Sequence, residues 1–173
     1  MRLFVAIDCD RAKNELVLAQ KEFATLNARF TQSFHLTLLF IGKVDNDNAE
    51  VIIDKLRTVP LTPFELHLTQ LNTFKSHAQK VIWCGVNESQ PLLQLHEDIS
   101  KAIYGEKTIH KYSPHITLAR VKNYRSLTNN EKIVLDRGLK KEVTACSFEV
   151  RHFVLYESRS SPGGPIYKVL KKY

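Results

Sequence analysis

Two segments, FHLTLLFIG at residues 34–42 and SPHITLAR at residues 113–120, constrain the fold of this chain more than any other feature. Within them, FHLTLLFI and PHITLA are apolar at every position except a histidine and a threonine two residues apart. Because neighbouring side chains of a β-strand point to opposite faces, the histidine and threonine of each segment share a face. We therefore predict two strands, apolar on both faces, each presenting one imidazole and one hydroxyl to a single spot.

A third His-x-Thr sequence provides an internal comparison. His67 and Thr69 lie in FELHLTQL at residues 64–71, where polar and apolar residues alternate as in a strand with one face in water. We predict that His67 is a solvated surface residue. Burying an unpaired imidazole or hydroxyl costs about 1–3 kcal/mol, so two polar pairs in two apolar strands favour a shared polar cleft. For either strand taken alone, a core histidine bonded to a backbone carbonyl is the alternative.

The rest of the chain alternates between strand-like and helical periodicity. Strands are predicted at residues 2–8, 33–42, 62–71, 80–86, 113–120, 146–158 and 166–170, and helices at residues 11–28, 45–57, 89–105 and 127–139. The residues 146–158 are interpreted as one long strand. Weak similarity between RLFVAID and RHFVLYES, and between the two His-x-Thr segments, favours an α+β fold with two pseudo-symmetric lobes. Each lobe would be an antiparallel sheet with outer helices, around a central cleft, in one domain spanning residues 1–173.

Composition excludes several classes of protein. The chain has 43% hydrophobic and 25% charged residues, as soluble globular proteins do, and no apolar run approaches the ~18 residues of a membrane helix. Asp8 and Asp10 stand where a secretory signal would have small residues. The three cysteines, Cys9, Cys84 and Cys146, are too scattered for a disulfide framework or for paired zinc ligands. We expect a soluble, cytoplasmic, monomeric protein with reduced thiols.

Positive charge is concentrated in the second half of the chain. The net charge is +7, and residues 101–173 hold fifteen Lys and Arg against six Asp and Glu, whereas residues 1–100 hold ten against twelve. Such a surplus raises the local concentration of a polyanion such as RNA. A solvated basic surface that only maintains solubility is the alternative.

Two imidazoles in one cleft suit attack on a phosphodiester. One neutral ring can accept a proton from the nucleophile while the other, in its charged form, protonates the leaving oxygen on the opposite side of phosphorus. Thr37 and Thr117 can donate hydrogen bonds to the non-bridging oxygens, and Arg120 offers a charged fork for the same anion. Arg120 lies five residues after His115, so strict alternation places it on the opposite face of the strand. It would then reach the anion only by curling round the end of the strand, and a simple surface charge is the alternative.

The motifs HLTL and HITL, about eighty residues apart, resemble the paired His-x-Thr-hydrophobic motifs of the 2H phosphoesterase superfamily. The chain looks like its bacterial and archaeal RNA 2′,3′-cyclic phosphodiesterase branch, once called 2′-5′ RNA ligases. The resemblance runs from RLFVAID through HLTLLFIG, TFKSHAQKVIW and PHITLAR to SPGGPIY. It implies hydrolysis of an RNA 2′,3′-cyclic phosphate to a 2′-phosphate, without metal or cofactor, and possible joining of RNA ends through a 2′-5′ bond.

The resemblance also implies roles for individual residues. His35 corresponds to the proton donor and His115 to the base that activates water, with Thr37 and Thr117 holding the phosphate. The residue chemistry alone leaves open which histidine plays which part. The partner implied is RNA with 2′,3′-cyclic phosphate ends, with no membrane and no metal.

Other aromatic and histidine residues are less specific. Phe74 and Trp83 are candidates for stacking on a nucleobase, with core packing as the alternative. Relatives often have glycine before the phenylalanine and proline after it, where this chain has NTFKS, so the manner of holding a base there is open. Tyr112 and Tyr167 have the same two options. Solvated or structural roles are predicted for His77, His96, His110 and His152.

Three rival functions remain at this point. The first is a non-catalytic RNA-binding module. The second is a metallohydrolase, although neither His35 nor His115 has a carboxylate or cysteine at ligand spacing. The third is a 2H enzyme that acts on small cyclic nucleotides or on ADP-ribose cyclic phosphate.

Overall fold

The computed structural model describes residues 1–75, 79–106, 111–143, 146–162 and 164–173, with only the backbone of Lys75 and Tyr124. Nine strands and four α-helices lie in these ranges. They are β1 (Arg2–Asp8), α1 (Lys13–Lys21), β2 (Ala28–Phe30), β3 (His35–Lys43), α2 (Asn46–Leu56), β4 (Phe64–Lys75), β5 (Gln79–Val86), α3 (Gln90–Tyr104), β6 (His115–Lys122), α4 (Asn129–Leu139), β7 (Ser147–Val150), β8 (Val154–Ser161) and β9 (Gly164–Lys172). Two single-turn 3-10 helices, Asp10–Ala12 and Tyr124–Ser126, complete the list.

The strands form one antiparallel sheet in the order β7-β4-β5-β6-β3-β1-β8-β9, with β2 also paired to β6. The two His-x-Thr strands, β3 and β6, are neighbours at its centre and meet through the pair Leu36 and Ile116. This narrow junction separates one half, built from β3, β1, β8 and β9, from the other, built from β6, β5, β4 and β7. The α+β fold with two antiparallel halves is therefore confirmed.

Residues 146–158 do not form the single strand that the sequence pattern predicts. The chain leaves β7 at Val150 and enters β8 at Val154, and the two strands lie in opposite halves of the sheet, β7 beside β4 and β8 between β1 and β9. Contacts with residues far away in the sequence fix the segment that crosses from β7 to β8, residues 151–153. His152 Nε2 lies 2.7 Å from Asp8 Oδ2, and the Phe153 ring stacks on Tyr173 with centroids 5.0 Å apart.

The helices pack against one face of the sheet. On β1, Leu3, Val5 and Ile7 point into the main core. Phe4 and Ala6, on the other face, join a small cluster with Val154 and Tyr156. Alternation along β1 thus assigns one face to the core and leaves the other to form the cleft.

Helix ends follow the sequence signals, with one exception. Asp45 caps α2 by accepting from Asn48 N, and α3 ends at Gly105, whose φ of 81° suits glycine. Helix α1 ends at Lys21, well before the predicted residue 28. The following residues turn through i to i+3 hydrogen bonds, which still bury Phe23 and Leu26. No described helix is both long and apolar enough to cross a membrane.

Candidate active site

The structure brings both His-x-Thr pairs to one cleft. His35, Thr37, His115 and Thr117 line a single cavity of about 540 Å³. The residues between and beyond them along the strands, Leu36, Leu38, Ile116 and Leu118, are buried in the core behind the sheet. The alternation of each strand therefore delivers an imidazole and a hydroxyl to the same space from two halves of the molecule.

Arg120 also lines this cavity, on the same face as His115. The expectation that it lies on the opposite face is wrong, because β6 contains a β-bulge. Ile82 pairs with Ala119 but Trp83 pairs with Thr117, so Leu118 is an extra residue in the register. Leu118 and Ala119 both point into the core, and the next side chain returns to the cleft.

Strand β3 has a bulge at the equivalent position. Val5 pairs with Leu39 and Ala6 pairs with Thr37, which leaves Leu38 as the extra residue. Leu38 and Leu39 are both buried in the core, and Phe40 then returns to the cleft, where its side chain is 72% exposed. Phe40 therefore occupies in one half the position that Arg120 occupies in the other.

Side chains from behind the sheet hold the carbonyl groups at both bulges. Gln20 Nε2, from α1, donates to Leu118 O at 2.8 Å. His96 Nδ1, from α3, donates to Leu38 O at 2.8 Å. Tyr112 stacks on the His96 ring with centroids 4.0 Å apart and donates from its hydroxyl to Thr37 O at 3.0 Å. His96 is thus structural, as predicted, and Tyr112 has a structural role beside it.

The backbone fixes the orientation of both catalytic candidates. His115 Nδ1 donates to the carbonyl of Ser113 at 2.8 Å, which leaves Nε2 of the neutral ring with a lone pair. His35 has a corresponding hydrogen bond with the backbone of Ser33. Both motifs therefore read Ser-x-His-x-Thr. This shared serine is a sequence signal that the comparison of His-x-Thr pairs missed.

The surroundings disfavour the charged form of both rings. Burial is the main cause that lowers the pKa of His35 to about 4, and the charges of Arg120 and His115 lower it further, against the hydrogen bond with Ser33. Burial and then Arg120 also lower the pKa of His115, against the bond with Ser113. An anion bound between the rings would offset both effects and raise both pKa values.

An aromatic ring stands edge-on to each imidazole. Tyr167 contacts His35 with centroids 4.8 Å apart at 78°, and Phe74 contacts His115 at 4.8 Å and 85°. Trp83 stacks on Phe74 with centroids 4.7 Å apart, and its ring centroid lies 5.9 Å from that of His115. Phe74 lines the cavity and Trp83 does not. Base stacking by these two residues stays a prediction, while their packing against each other and His115 is what the structure shows.

The cleft continues beyond the two imidazoles. A second cavity of about 460 Å³ has five residues in common with the first, and these are His35, Thr117, Arg120, Pro165 and Tyr167. It adds residues of β2 and the following turn, including Arg29 and Ser33. Two open spaces therefore flank the residues that both cavities share. Burial raises the pKa of Tyr167, so its hydroxyl stays protonated and able to donate to an anion.

Comparison with known proteins decides the family. The model of the 2′-5′ RNA ligase superfamily matches residues 13–162. The RNA 2′,3′-cyclic phosphodiesterase of Methanocaldococcus jannaschii is 32% identical, with 100% of each chain covered. The protein of the same description from Archaeoglobus fulgidus is 31% identical, over 100% of this chain and 99% of that one. The chain belongs to the 2′-5′ RNA ligase superfamily.

Two solved structures share the fold over nearly the whole chain. The crystal structure of TT0787 of Thermus thermophilus has a TM-score of 0.79 and 25% identity, over 100% of this chain and 97% of that one. That of E. coli LigT complexed with 3′-AMP also has a TM-score of 0.79, with 24% identity over 99% and 96%. The family model and the two relatives confirm the 2H phosphoesterase resemblance that the two motifs carry.

The other described histidines do not line this cleft. His67 is exposed and lies 3.4 Å from Glu65, as expected for a surface residue. His152 is bonded to Asp8 at the crossing between β7 and β8. His77 and His110 lie outside the described residues. In the part of the chain that the structure describes, no three His, Cys, Asp or Glu side chains converge as metal ligands would.

Proposed function

We propose that this protein hydrolyses RNA 2′,3′-cyclic phosphate ends to 2′-phosphomonoesters, with His35 and His115 as a metal-independent acid and base pair. The observation that carries the proposal is that both imidazoles, both threonines and Arg120 line one cavity. The relatives described as RNA 2′,3′-cyclic phosphodiesterases support the choice of substrate. We also propose that the protein acts as a cytoplasmic monomer.

The reaction needs one proton removed and one proton supplied. Water attacks phosphorus, and its proton passes to Nε2 of neutral His115, whose Nδ1 is already bonded to Ser113. The bond between phosphorus and the 3′ oxygen breaks, and protonated His35 supplies a proton to that oxygen. The products are a 2′-phosphomonoester and a free 3′-hydroxyl. General acid and base catalysis of this kind contributes about 10²–10⁴ in rate for each group.

Three further groups face the anion. The guanidinium group of Arg120 donates charged hydrogen bonds to the non-bridging oxygens. Thr37 and Thr117 donate hydrogen bonds from their hydroxyls to the same oxygens. Charge on these oxygens develops in a site that is partly shielded from water, where fixed donors are most effective. Tyr167, which the sequence left unassigned, adds a protonated hydroxyl in both cavities.

The acid and base roles follow the family resemblance, and the electrostatics make them testable. Burial is the main cause that lowers the pKa of His35 to about 4, and burial also lowers the pKa of His115, so without a bound anion the neutral form of both rings is favoured. The negative charge of the bound phosphate must therefore raise the pKa of His35, so that His35 takes up a proton from solvent and can act as the acid. A cyclic substrate with sulfur in place of the 3′ oxygen needs no proton on its leaving group. The His35→Ala defect should then shrink and the His115→Ala defect should persist, whereas the reverse result would exchange the roles.

The decisive experiment is turnover of an RNA oligonucleotide that ends in a 2′,3′-cyclic phosphate. The expected product carries a 2′-phosphate. A metal chelator should leave the rate unchanged, whereas His35→Ala and His115→Ala should each abolish turnover. Binding without turnover would favour the RNA-binding module, and loss of activity in chelator would favour a metallohydrolase. Adenosine cyclic phosphates and ADP-ribose cyclic phosphate, assayed in parallel, decide between RNA and small-molecule substrates.

A further inference from the structure

Phe40 has an unusual position for a phenylalanine. At 72% it is the most exposed large hydrophobic side chain among the described residues. Single exposed apolar residues are common and need no explanation. Phe40, however, lies in the same cavity as both catalytic histidines, next to Phe4 with centroids 6.1 Å apart. The bulge at Leu38 is what turns its ring away from the core and into this cavity.

Two cations continue the same face of the sheet. Arg2 and Lys43 are register partners at the ends of β1 and β3, both exposed, and both line the cavity that holds Phe40. They also line a neighbouring open space of about 610 Å³ with Asn48, Ser158 and Ser160. The cleft therefore runs from the imidazoles past an aromatic ring to a pair of cations.

The carboxylates near these cations have other partners. Asp45 accepts from Asn48 N at 2.8 Å and from Asn48 Nδ2 at 3.0 Å, as the cap of α2. Glu157 is paired with Arg159 at 2.8 Å. Among the described residues, no ion pair joins Arg2 or Lys43 to a carboxylate. Their charge is therefore available to an external anion.

We propose that Phe40, Arg2 and Lys43, here called the β1–β3 strip, bind the RNA on the 5′ side of the cyclic phosphate. The base of the terminal nucleotide stacks on Phe40, and an internucleotide phosphate pairs with Arg2 and Lys43. With a rise of about 3.3 Å per residue, the strand from Thr37 to Lys43 spans about 20 Å, more than one nucleotide occupies. The inference rests on the proposed function and makes oligonucleotides of at least two residues the preferred substrates, with a mononucleotide turned over less efficiently.

Substrate length separates the two parts of the strip. A nucleoside 2′,3′-cyclic phosphate has the base but no internucleotide phosphate, whereas the dinucleotide that ends in the same group has both. Arg2→Gln combined with Lys43→Gln should lower kcat/KM for the dinucleotide about tenfold, mainly through KM, and leave the mononucleotide within twofold. Phe40→Ala should lower kcat/KM for both about tenfold, and Phe40→Trp should retain it. The salt dependence of dinucleotide KM should weaken in the double variant.

Matched controls come from exposed residues of α4 and from Lys140, which directly follows it. Lys132→Gln combined with Lys140→Gln removes the same charge outside the cavities described, and Ile133→Ala removes an exposed apolar side chain. Both should leave all rates unchanged. The inference is overturned if the wild type turns over mononucleotide and dinucleotide equally well, or if the Arg2 and Lys43 variant slows both alike. It is also overturned if the α4 charge control gives the same loss.

Failure of the proposed function gives a different result. In that case the wild type turns over neither substrate. The strip is then judged by the affinity for a dinucleotide ending in a 2′-phosphate. Weaker binding in the Arg2 and Lys43 variant than in the α4 control supports the strip, and equal binding overturns it.

Discussion

The two halves of the cleft use one backbone design with different side chains. In β3 and in β6, a serine carbonyl two residues earlier orients a histidine, a threonine follows, and a bulge comes next. In each half a side chain from behind the sheet holds the bulge carbonyl, His96 in one and Gln20 in the other. The shared geometry explains why both imidazoles meet one space.

The halves differ at the position that each bulge turns into the cleft. That position is Arg120 in β6 and Phe40 in β3. The aromatic ring that contacts the imidazole also differs, and it is Phe74 for His115 of β6 and Tyr167 for His35 of β3. A cation suits the phosphate and an exposed aromatic ring suits a base. The difference teaches that the backbone repeat fixes the positions of both imidazoles, while the side chain after the bulge gives the two halves different chemistry.

The largest expected effect tests the feature that the halves share. His35→Ala and His115→Ala should each lower kcat by about 10³ or more, because each removes one of two coupled proton transfers. The double variant should be little slower than either single one, since the pair acts as a unit. His67→Ala, in the third His-x-Thr sequence, is the control and should be nearly silent. Single-turnover rates on a cyclic-phosphate RNA measure all four, and a mild defect in either cleft variant would break the two-histidine scheme.

The next effect concerns the two hydroxyls. Thr37→Val and Thr117→Val keep the side-chain shape and remove a donor to a charged phosphate, which costs about 1.5–3 kcal/mol or roughly ten- to a hundredfold in kcat/KM. Each loss should be smaller than that of the histidine in the same strand. Thr→Ser at either position should restore most of the rate. A threonine variant as defective as a histidine variant would instead indicate collapse of the strand.

Both polar pairs were predictable because their signal is local. A histidine and threonine in a strand that is otherwise apolar need a polar neighbour, and i, i+2 spacing fixes their shared face. The face of Arg120 was not predictable from spacing, since the extra residue at Leu118 depends on how β6 pairs with β5. The face of Phe40 was missed because it also follows an extra residue, Leu38. In addition, a phenylalanine in an apolar strand resembles a core residue. The crossing at residues 151–153 was missed because it is held by distant partners, Asp8 and Tyr173.

A smaller effect tests how the bulge in β6 is maintained. Gln20→Met keeps the length of the side chain but removes its hydrogen bonds to Thr31 O and to Leu118 O. At Leu118 O, only Thr31 N then remains as a donor among the bonds described. The loosened bulge should place Arg120 less well and lower kcat/KM about tenfold. In an Arg120→Gln background the same change should add little, because the group it positions is already absent. Gln94→Met, on an exposed face of α3, is the matched control. Full additivity of Gln20→Met with Arg120→Gln would mean that Gln20 acts on general stability and not through Arg120.

The smallest effect is a shift of the pH profile of kcat/KM. The shift should occur when the cation of the β6 half is removed and not when the aromatic ring of the β3 half is removed. For the free enzyme, kcat/KM should follow a bell whose limbs belong to the coupled histidine pair. Both limbs should lie below the ordinary histidine pKa of 6.5, because burial is the main cause that lowers the pKa of His35 to about 4, and burial and then Arg120 lower the pKa of His115. A protonated ring near a guanidinium is destabilised, so Arg120→Gln should raise both pKa values and move both limbs to higher pH. Phe40→Ala removes no charge and should leave the limbs where they are. Limbs that stay fixed in Arg120→Gln, or that move to lower pH, would contradict the electrostatic coupling between the cation of one half and the imidazoles of both.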